Sequence, residues 1–394
     1  MKYNFKVSIV VPGKFHAFYL AKQLQNKNLL SSLITSYPKY LVSKENIKKN
    51  LVISLFFKEI VERLMIKMKI SRILNLFYYY LNLIFEISAA KKFDYKKINI
   101  VVGWSGSSEK IFKKIKLKNN NILKILERGS SHISFQNKIL NHEYEKFGIK
   151  KNPIDTRIIE KELREYELAD YIMVPSEFAR ESFLSYGIKK DKILKVPYGV
   201  DLSLFKRNLN KPKEFTIISA GQISIRKGSY YLLKAFDELN LKDCKLILVG
   251  NIEDEIKKII KPFLNKKKIY FKKHVPQKNL KELYDLSHLF VIPSIEEGMA
   301  MVQPQAMAAG LPLICTTNSG GAEIVDDNKN GFISPIRDIN FIKNKILYLY
   351  ENREVLLNFS ENAYAKAHKS LSWDEYGNKI ARTYHEIICK YYQK

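Results

Sequence analysis

The stretch EEGMAMVQPQAMAAGLP, Glu296 to Pro312, decides how the chain is read. It sets an acid beside a glycine and follows them with a run of small residues. VIPS just before it, Val291 to Ser294, has the character of a buried strand's end, and Val302 to Ala309 that of a helix stopped by Gly310 and Pro312. Glu297 and Gly298 therefore belong to a strand-to-helix loop. In open parallel sheets such loops lie at the carboxyl ends of the strands, where ligands bind, and the helix behind offers unpaired N–H groups to an anion. The acid repels phosphate and welcomes hydroxyls, so a ligand carrying phosphate beside sugar suits the pair.

Outward from this loop, short Val- and Ile-rich runs alternate with helical patterns, the sign of βαβ units and parallel sheets. In the first half the runs are Val7 to Pro12, Ile98 to Trp104, Ile122 to Arg128, Tyr171 to Ser176 and Ile193 to Gly199. In the second they are Phe215 to Gly221, Lys245 to Gly250, Ile269 to Val275, Leu289 to Ser294 and Leu311 to Thr316. The polar stretch KRNLNKPKE, 206–214, reads as a linker between a first domain over 1–205 and a second over 215–373. Two domains are also what 394 residues lead one to expect.

Sixty-seven Lys and Arg against forty acids give a net charge of +27, which favours phosphate-rich partners: nucleic acid, anionic lipid or phosphorylated substrates. Nucleic acid is set aside, because no zinc-finger spacing, RNP-like strand or compact basic reading helix occurs. Three scattered cysteines form neither a zinc pattern nor a disulfide framework and imply a reducing compartment. The opening strand has no signal-peptide core, and the most apolar stretch without charge, Ile73 to Phe85, is too short to span a bilayer. Residues 41–100 stand apart. Twelve Lys and Arg against five acids accompany Leu, Ile, Phe, Met and Tyr, a pattern of helices with apolar and basic faces that suits either a membrane interface or the first domain's core.

A second strand-loop-helix, GQISIRKGSYYLLKAF from Gly221 to Phe236, puts Arg226 and Lys227 in a loop before a helix that starts near Ser229, with Gly228 allowing close backbone approach. Cations at a strand's carboxyl end suit a pyrophosphate. No G-x-x-x-x-G-K-[ST] and no D-x-D occurs, so neither P-loop chemistry nor a metal-bridged diphosphate is indicated.

Together, PSIEEGMAMVQPQAMAAGLPLICTTNSGGAEIV (Pro293 to Val325), GQISIRKG, ADYIMVPSEFARESFLSYG (Ala169 to Gly187), VPYGVDLSLF (Val196 to Phe205), ERGSSH (Glu127 to His132) and LSWDEYGNKIARTYHE (Leu371 to Glu386) resemble the retaining GT-B glycosyltransferases with an E-x7-E motif, over nearly the whole chain. The resemblance implies two Rossmann-like domains facing across a cleft, a nucleotide-diphosphate sugar as donor, and a C-terminal helix, about 374–394, packed back on the first domain. By position, Lys227 matches the lysine on the donor diphosphate, Glu297 the acid that accepts from sugar hydroxyls, and His132 a histidine near the reacting carbon. Arg226 neighbours the phosphate site, the Gly298, Met299, Ala300 and Met301 backbone faces sugar and phosphate, and the loop of Gly13 and Lys14 faces the donor from across the cleft. His16 has a weaker case, and Glu143 matches a family acid or lies on a solvated helix face.

Three positions depart from the pattern. Gln305 stands where the second motif glutamate belongs, and an amide has one acceptor and one donor group where a carboxylate accepts twice. Gln222 follows Gly221 where an arginine is frequent, and Ala300 replaces a frequent glycine, losing easy access to positive φ. The reading expected is a metal-independent retaining transferase needing no cofactor. It works on a glycan or lipid-linked acceptor at the cytosolic face of an anionic membrane, in the synthesis of lipopolysaccharide, capsule or another cell-surface glycan. The alternatives are a GT-B phosphorylase, a nucleotide-sugar epimerase, or a non-catalytic membrane-surface scaffold with a decayed site.

Overall fold

The computed structural model describes residues 3–68, 71–118 and 121–392. Two wholly parallel sheets carry the chain. The first holds β1 (Val7–Val11), β2 (Leu30–Thr35), β3 (Val52–Ser54), β4 (Ile100–Trp104), β5 (Leu123–Glu127), β6 (Tyr171–Val174) and β7 (Ile193–Lys195), in the order 3-2-1-4-5-6-7. The second holds β8 (Phe215–Ala220), β9 (Cys244–Val249), β10 (Ile269–Lys272), β11 (Leu289–Ile292), β12 (Leu313–Thr316) and β13 (Gly331–Ser334), in the order 10-9-8-11-12-13. Each is a doubly wound sheet whose strand order reverses beside its first strand, and the crevice at that reversal is where such sheets take ligands.

On the first sheet lie helices α1 (Ala17–Asn26), α2 (Lys39–Ser43), α3 (Phe57–Lys67), α4 (Ser71–Lys92), α5 (Glu109–Lys118), α6 (Ile133–Lys146), α7 (Thr156–Leu168) and α8 (Glu177–Leu184). The second carries α9 (Ser229–Leu239), α10 (Lys257–Ile260), α11 (Gln277–Asp285), α12 (Val302–Ala308), α13 (Ile339–Glu351) and α14 (Arg353–Ser370). Residues 206–214 form neither helix nor strand.

The last helix, α15 (Trp373–Tyr392), lies against α1: Trp373 stacks on Tyr19 with ring centroids 4.1 Å apart, and Gln23 donates to Asp374 at 2.9 Å. Gly377 permits that closeness, since a Cβ there would come 2.5 Å from Gln23 Oε1. Where the chain returns, Val200 and Ser372 form a parallel bridge, and the Val200 N–H reaches the Leu371 carbonyl at 2.7 Å.

Three strands are additions to the sequence reading. In β2, Ser31 and Ser32 interrupt the apolar run; β3 is three residues inside a segment read as helical, and β13 is four residues beginning at a glycine. The remainder of 41–100 is largely helical, with Lys69 and Ile70 outside the described residues. Its two main helices turn apolar side chains outward as well as inward. Phe57, Ile60 and Leu64 on α3, and Phe77, Tyr80, Ile84 and Ile87 on α4, are all exposed, whereas Leu81, Phe85 and Ala89 are buried. Among the described residues no helix is long and apolar enough to cross a membrane.

Candidate functional site

The carboxyl ends of the two sheets face one another across a cavity of about 650 Å³, within the range of small-molecule sites. The second domain supplies Ala220 and Gly221 at the end of β8, Arg226 and Lys227 from the next loop, Glu297, and Met299 to Val302 with Gln305 ahead of and within α12. The first domain supplies Phe15 and His16 after β1, Trp104 to Ser107 after β4, Arg128 to Ser130 after β5, and parts of α4 and α7.

The RKG loop has a defined shape. Ser224 Oγ accepts from the Lys227 N–H at 3.2 Å, and Gly228 takes φ +64° to cap α9. That glycine is required by protein packing, because a Cβ would strike the Pro293 carbonyl. Lys227 runs alongside Gly221, whose φ of +136° is a conformation that glycine adopts readily. Its ammonium meets Glu297 Oε2, which also accepts from Arg226 Nη1 at 2.9 Å. Arg226 reaches further to the Glu296 carbonyl at 3.1 Å.

The electrostatics follow from this crowding. Burial alone would raise the Glu297 carboxyl, but Arg226 and Lys227 outweigh it and hold it below the ordinary value. Burial lowers Lys227, only partly offset by Glu297. Arg226 and Lys227 stand side by side at this end, paired with Glu297 and, at 3.5 Å, with Glu296, so a phosphate can take their N–H groups by displacing part of that pairing.

Of the residues singled out from sequence, Gly221, Arg226, Lys227, Glu297, Met299, Ala300, Met301 and Gln305 come together on this wall. Five others are elsewhere. Gly13 leaves space for the Phe15 ring, which a Cβ would approach to 2.7 Å, so Pro12, Phe15 and His16 are what this loop brings to the cavity. Lys14 pairs with Glu45 at 2.6 Å. Gln222 donates to Glu253 at 2.9 Å beside a void of only about 10 Å³. Gly298 is pressed against the other domain: a Cβ would strike the Gly129 carbonyl, and its own carbonyl accepts from Ser176 at 2.6 Å.

His132 is the fifth, and it does not reach the cavity. It is the N-cap of α6, with Nδ1 accepting from the Ser134 N–H at 3.2 Å and the ring stacked on Tyr186, centroids 4.5 Å apart. Burial, and then the Arg128 charge, lower its pKa to about 4, so it is a neutral packing group. Glu143 is not on a solvated face either; it is fully buried between the domains, accepting from Tyr231 at 2.7 Å and paired with Arg337.

Sequence reasoning missed Glu296, whose carboxylate is fully buried and holds the first domain: Ser131 N–H and Oγ at 3.0 and 2.8 Å, and Gln136 Nε2 at 2.8 Å. It also missed Arg128, which pairs with Glu162 at 3.1 Å in the cavity wall. A charged residue closing an apolar strand, inside ERGSSH, was the available signal. His16 is buried, its Nε2 3.1 Å from Glu127 Oε2, and sits against Tyr198 and Trp104 in the cavity wall.

Comparison with known proteins agrees with this anatomy. Residues 202–366 match the model of the family described as glycosyl transferases group 1. The chain is 26% identical over 241 residues to an uncharacterized glycosyltransferase of Methanocaldococcus jannaschii, covering 56% of this chain and 61% of that one. It is 24% identical over 185 residues to WcaL of Salmonella typhimurium, named for colanic acid biosynthesis, covering 44% and 46% respectively. The chain thus spans less than two thirds of either relative's length. Among solved structures, sucrose-phosphate synthase from Thermosynechococcus elongatus aligns with a TM-score of 0.70 at 15% identity, over 98% of this chain and 100% of that one. HepE of Anabaena, solved in complex with UDP, aligns with a TM-score of 0.68 at 14% identity, over 97% and 100%. At these identities the structural likeness is one of fold.

Proposed function

We propose that this chain, which has the GT-B fold and matches the glycosyl transferases group 1 model over residues 202–366, moves a sugar from a nucleotide-diphosphate sugar to an acceptor hydroxyl. The observation that carries the reading is the meeting of Arg226, Lys227 and Glu297 at the carboxyl end of one sheet, opposite the carboxyl end of the other. The donor diphosphate takes the two cations. As the sugar C1–O bond to the diphosphate breaks, charge grows on the leaving oxygen, and Lys227 and Arg226 neutralise it. Glu297, released from part of its ion pairing, accepts from donor sugar hydroxyls, and Gln305 offers its amide to the ribose.

The transfer proposed is same-face displacement with retention. The acceptor oxygen bonds to C1 on the side the diphosphate leaves, and its proton passes to a phosphate oxygen, so no protein nucleophile is required. Lysine and arginine serve in place of a metal ion. The support from relatives is the UDP bound in HepE and the colanic acid name of WcaL, which favour a nucleoside-diphosphate donor and a cell-surface glycan product. The setting proposed is the inner face of a membrane. The apolar stripes of α3 and α4 insert shallowly there, and exposed Lys67, Lys91 and Lys92 meet anionic headgroups.

A thermal-shift screen of nucleoside diphosphates and their sugars tests the reading, because a ligand that binds only the folded chain raises its stability. A shift with one diphosphate, followed by label transfer from the matching sugar to an alkyl glycoside, is the result expected. No shift with any of them removes the proposal.

A further inference from the structure

The cavity does not end at the cations. Its far wall is formed by α4 and α7 and differs in chemistry from the phosphate end. Here every cation already has its own carboxylate: Lys161 Nζ meets Glu86 at 2.5 Å, Arg128 meets Glu162 at 3.1 Å, and Arg157 beside them meets Asp155 at 2.5 Å. Such a wall has no net attraction for phosphate and suits an uncharged group.

Two polar atoms on it lack a hydrogen-bond partner among the described residues: Arg128 Nε, which lies 3.1 Å from Glu162, and Asn82 Oδ1. Asn82 is only 8% exposed and lines the cavity, yet its Oδ1 finds no hydrogen-bond partner among the described residues. A buried polar atom without a partner costs stability, and such atoms are uncommon in folded proteins. At a cavity wall the natural partner is a ligand's hydroxyl, and the amide can serve it as acceptor and a second hydroxyl as donor. Tyr78 and Tyr79 line the cavity beside it. Arg157 holds the Tyr79 ring at 5.0 Å and Lys58 that of Tyr78 at 5.3 Å, so both rings are positioned before a ligand arrives. A tyrosine offers an apolar ring and a polar tip, the two needs of a sugar's C–H faces and hydroxyls.

We propose that Asn82, with Tyr78 and Tyr79, forms the subsite for an uncharged pyranose of the acceptor. The inference rests on the transferase reading and adds a substrate class to it. On α4, Tyr79, Asn82 and Glu86 share the inner face, while Phe77, Tyr80, Ile84 and Ile87 occupy the exposed outer face, at about 100° of turn per residue. One helix thus carries both the sugar subsite and the apolar exterior, and an acceptor pairing a neutral sugar head with an apolar tail meets both.

The probes are octyl glycosides of glucose, galactose and mannose below their micelle concentrations, with octyl glucuronide as the charged control. Binding is read from the fluorescence of Trp104, which lines the cavity. Wild type should bind at least one neutral glycoside and favour it over the glucuronide. Asn82→Leu should weaken that binding about tenfold or more, the scale of one lost hydrogen bond, with an unchanged or higher melting temperature because the stranded amide is gone. Asn82→Ser serves as a second variant should the leucine fail to fold, and it too should weaken binding. Undiminished binding by the folded variants, no binding of any neutral glycoside, or preference for the glucuronide overturns the proposal. The thermal shift with nucleoside diphosphate, run in parallel, separates the two readings. Glycoside binding that depends on Asn82 without any nucleotide shift would keep the subsite and sink the transferase, and a nucleotide shift without glycoside binding would do the reverse.

Discussion

Glu296 of the second domain and Ser131 of the first are joined twice, with the Ser131 N–H and hydroxyl both donating to one carboxylate oxygen at 3.0 and 2.8 Å. The other oxygen takes Gln136 Nε2 at 2.8 Å and lies 3.5 Å from Arg226. Glu296 therefore fastens the first domain to the loop that holds the proposed phosphate site. Glu296→Ala would strand several buried donors and half-free a cation, a loss of about 3–5 kcal/mol by the usual cost of breaking a buried charged cluster. Urea unfolding measures it, and small-angle scattering should show a larger radius. An unchanged midpoint and radius would mean that the contacts at Glu143 and Gly298 suffice.

Lys227 and Glu297 should part ways when each is removed. Lys227→Ala loses a stabiliser of the leaving diphosphate and should lower kcat about 10²-fold or more. Glu297→Ala frees both cations for phosphate, so nucleoside diphosphate should bind at least as tightly as to wild type while transfer is lost. Calorimetric titration beside a transfer assay distinguishes them. Near-normal turnover in folded Lys227→Ala, or lost nucleotide binding in Glu297→Ala, contradicts the assignment.

His132 makes stability depend on pH. Its ordinary value near 6.5 falls to about 4 in the fold, through burial first and the Arg128 charge second. The unfolded chain thus takes up a proton that the folded chain refuses. Stability from this group is present above pH 6.5 and is lost as pH falls toward 4. His132→Asn keeps an acceptor for the helix start but cannot titrate. Its urea midpoint should gain on wild type steadily from pH 6.5 to 4, then stop gaining. Parallel curves would show that the imidazole is not held neutral.

The outer faces of α3 and α4 predict lipid binding of two kinds. Each exposed lysine near an anionic surface contributes about 1 kcal/mol at moderate salt, and salt screens it. Apolar insertion is not screened. Co-sedimentation should therefore require anionic vesicles, weaken as salt rises and level off above zero. Changing Phe57, Leu64 and Phe77 to Ser should remove the residual plateau. Equal binding to neutral vesicles, or a plateau untouched by the changes, excludes this surface.

Much of this anatomy was legible because it is local. The GQISIRKG and EEGMAM loops each place a charge between an apolar run and a helix, and both lie where that reading puts them, at strand ends on one wall of the cavity. What escaped depends on distance in the chain. Glu296 and Glu297 are adjacent and chemically identical, yet one faces Ser131 and the other Lys227, and only the packing of the two domains tells them apart. His132 sits in a matching segment, but its ring turns under α6 toward Tyr186, a direction set by the N-cap bond to Ser134. Asn82 is one of several polar residues in α4, with Asn75 and Glu86 among the others, and nothing near it in sequence marks the cavity it borders.

The placement of α15 on α1 has a consequence for synthesis. Domains generally fold as units, the N-terminal one first as the chain leaves the ribosome. Here the first sheet, complete at β7, is followed by the entire second sheet before Trp373, Tyr376 and Ile380 arrive to cover the face that presents Tyr19 and Gln23. For that interval the nascent first domain carries an uncovered apolar seam where Tyr19 and Gln23 await α15. The second domain, bounded by strands that pair only with one another, can close beforehand. The first sheet's region is therefore completed only after the second has been translated, by residues 373–392.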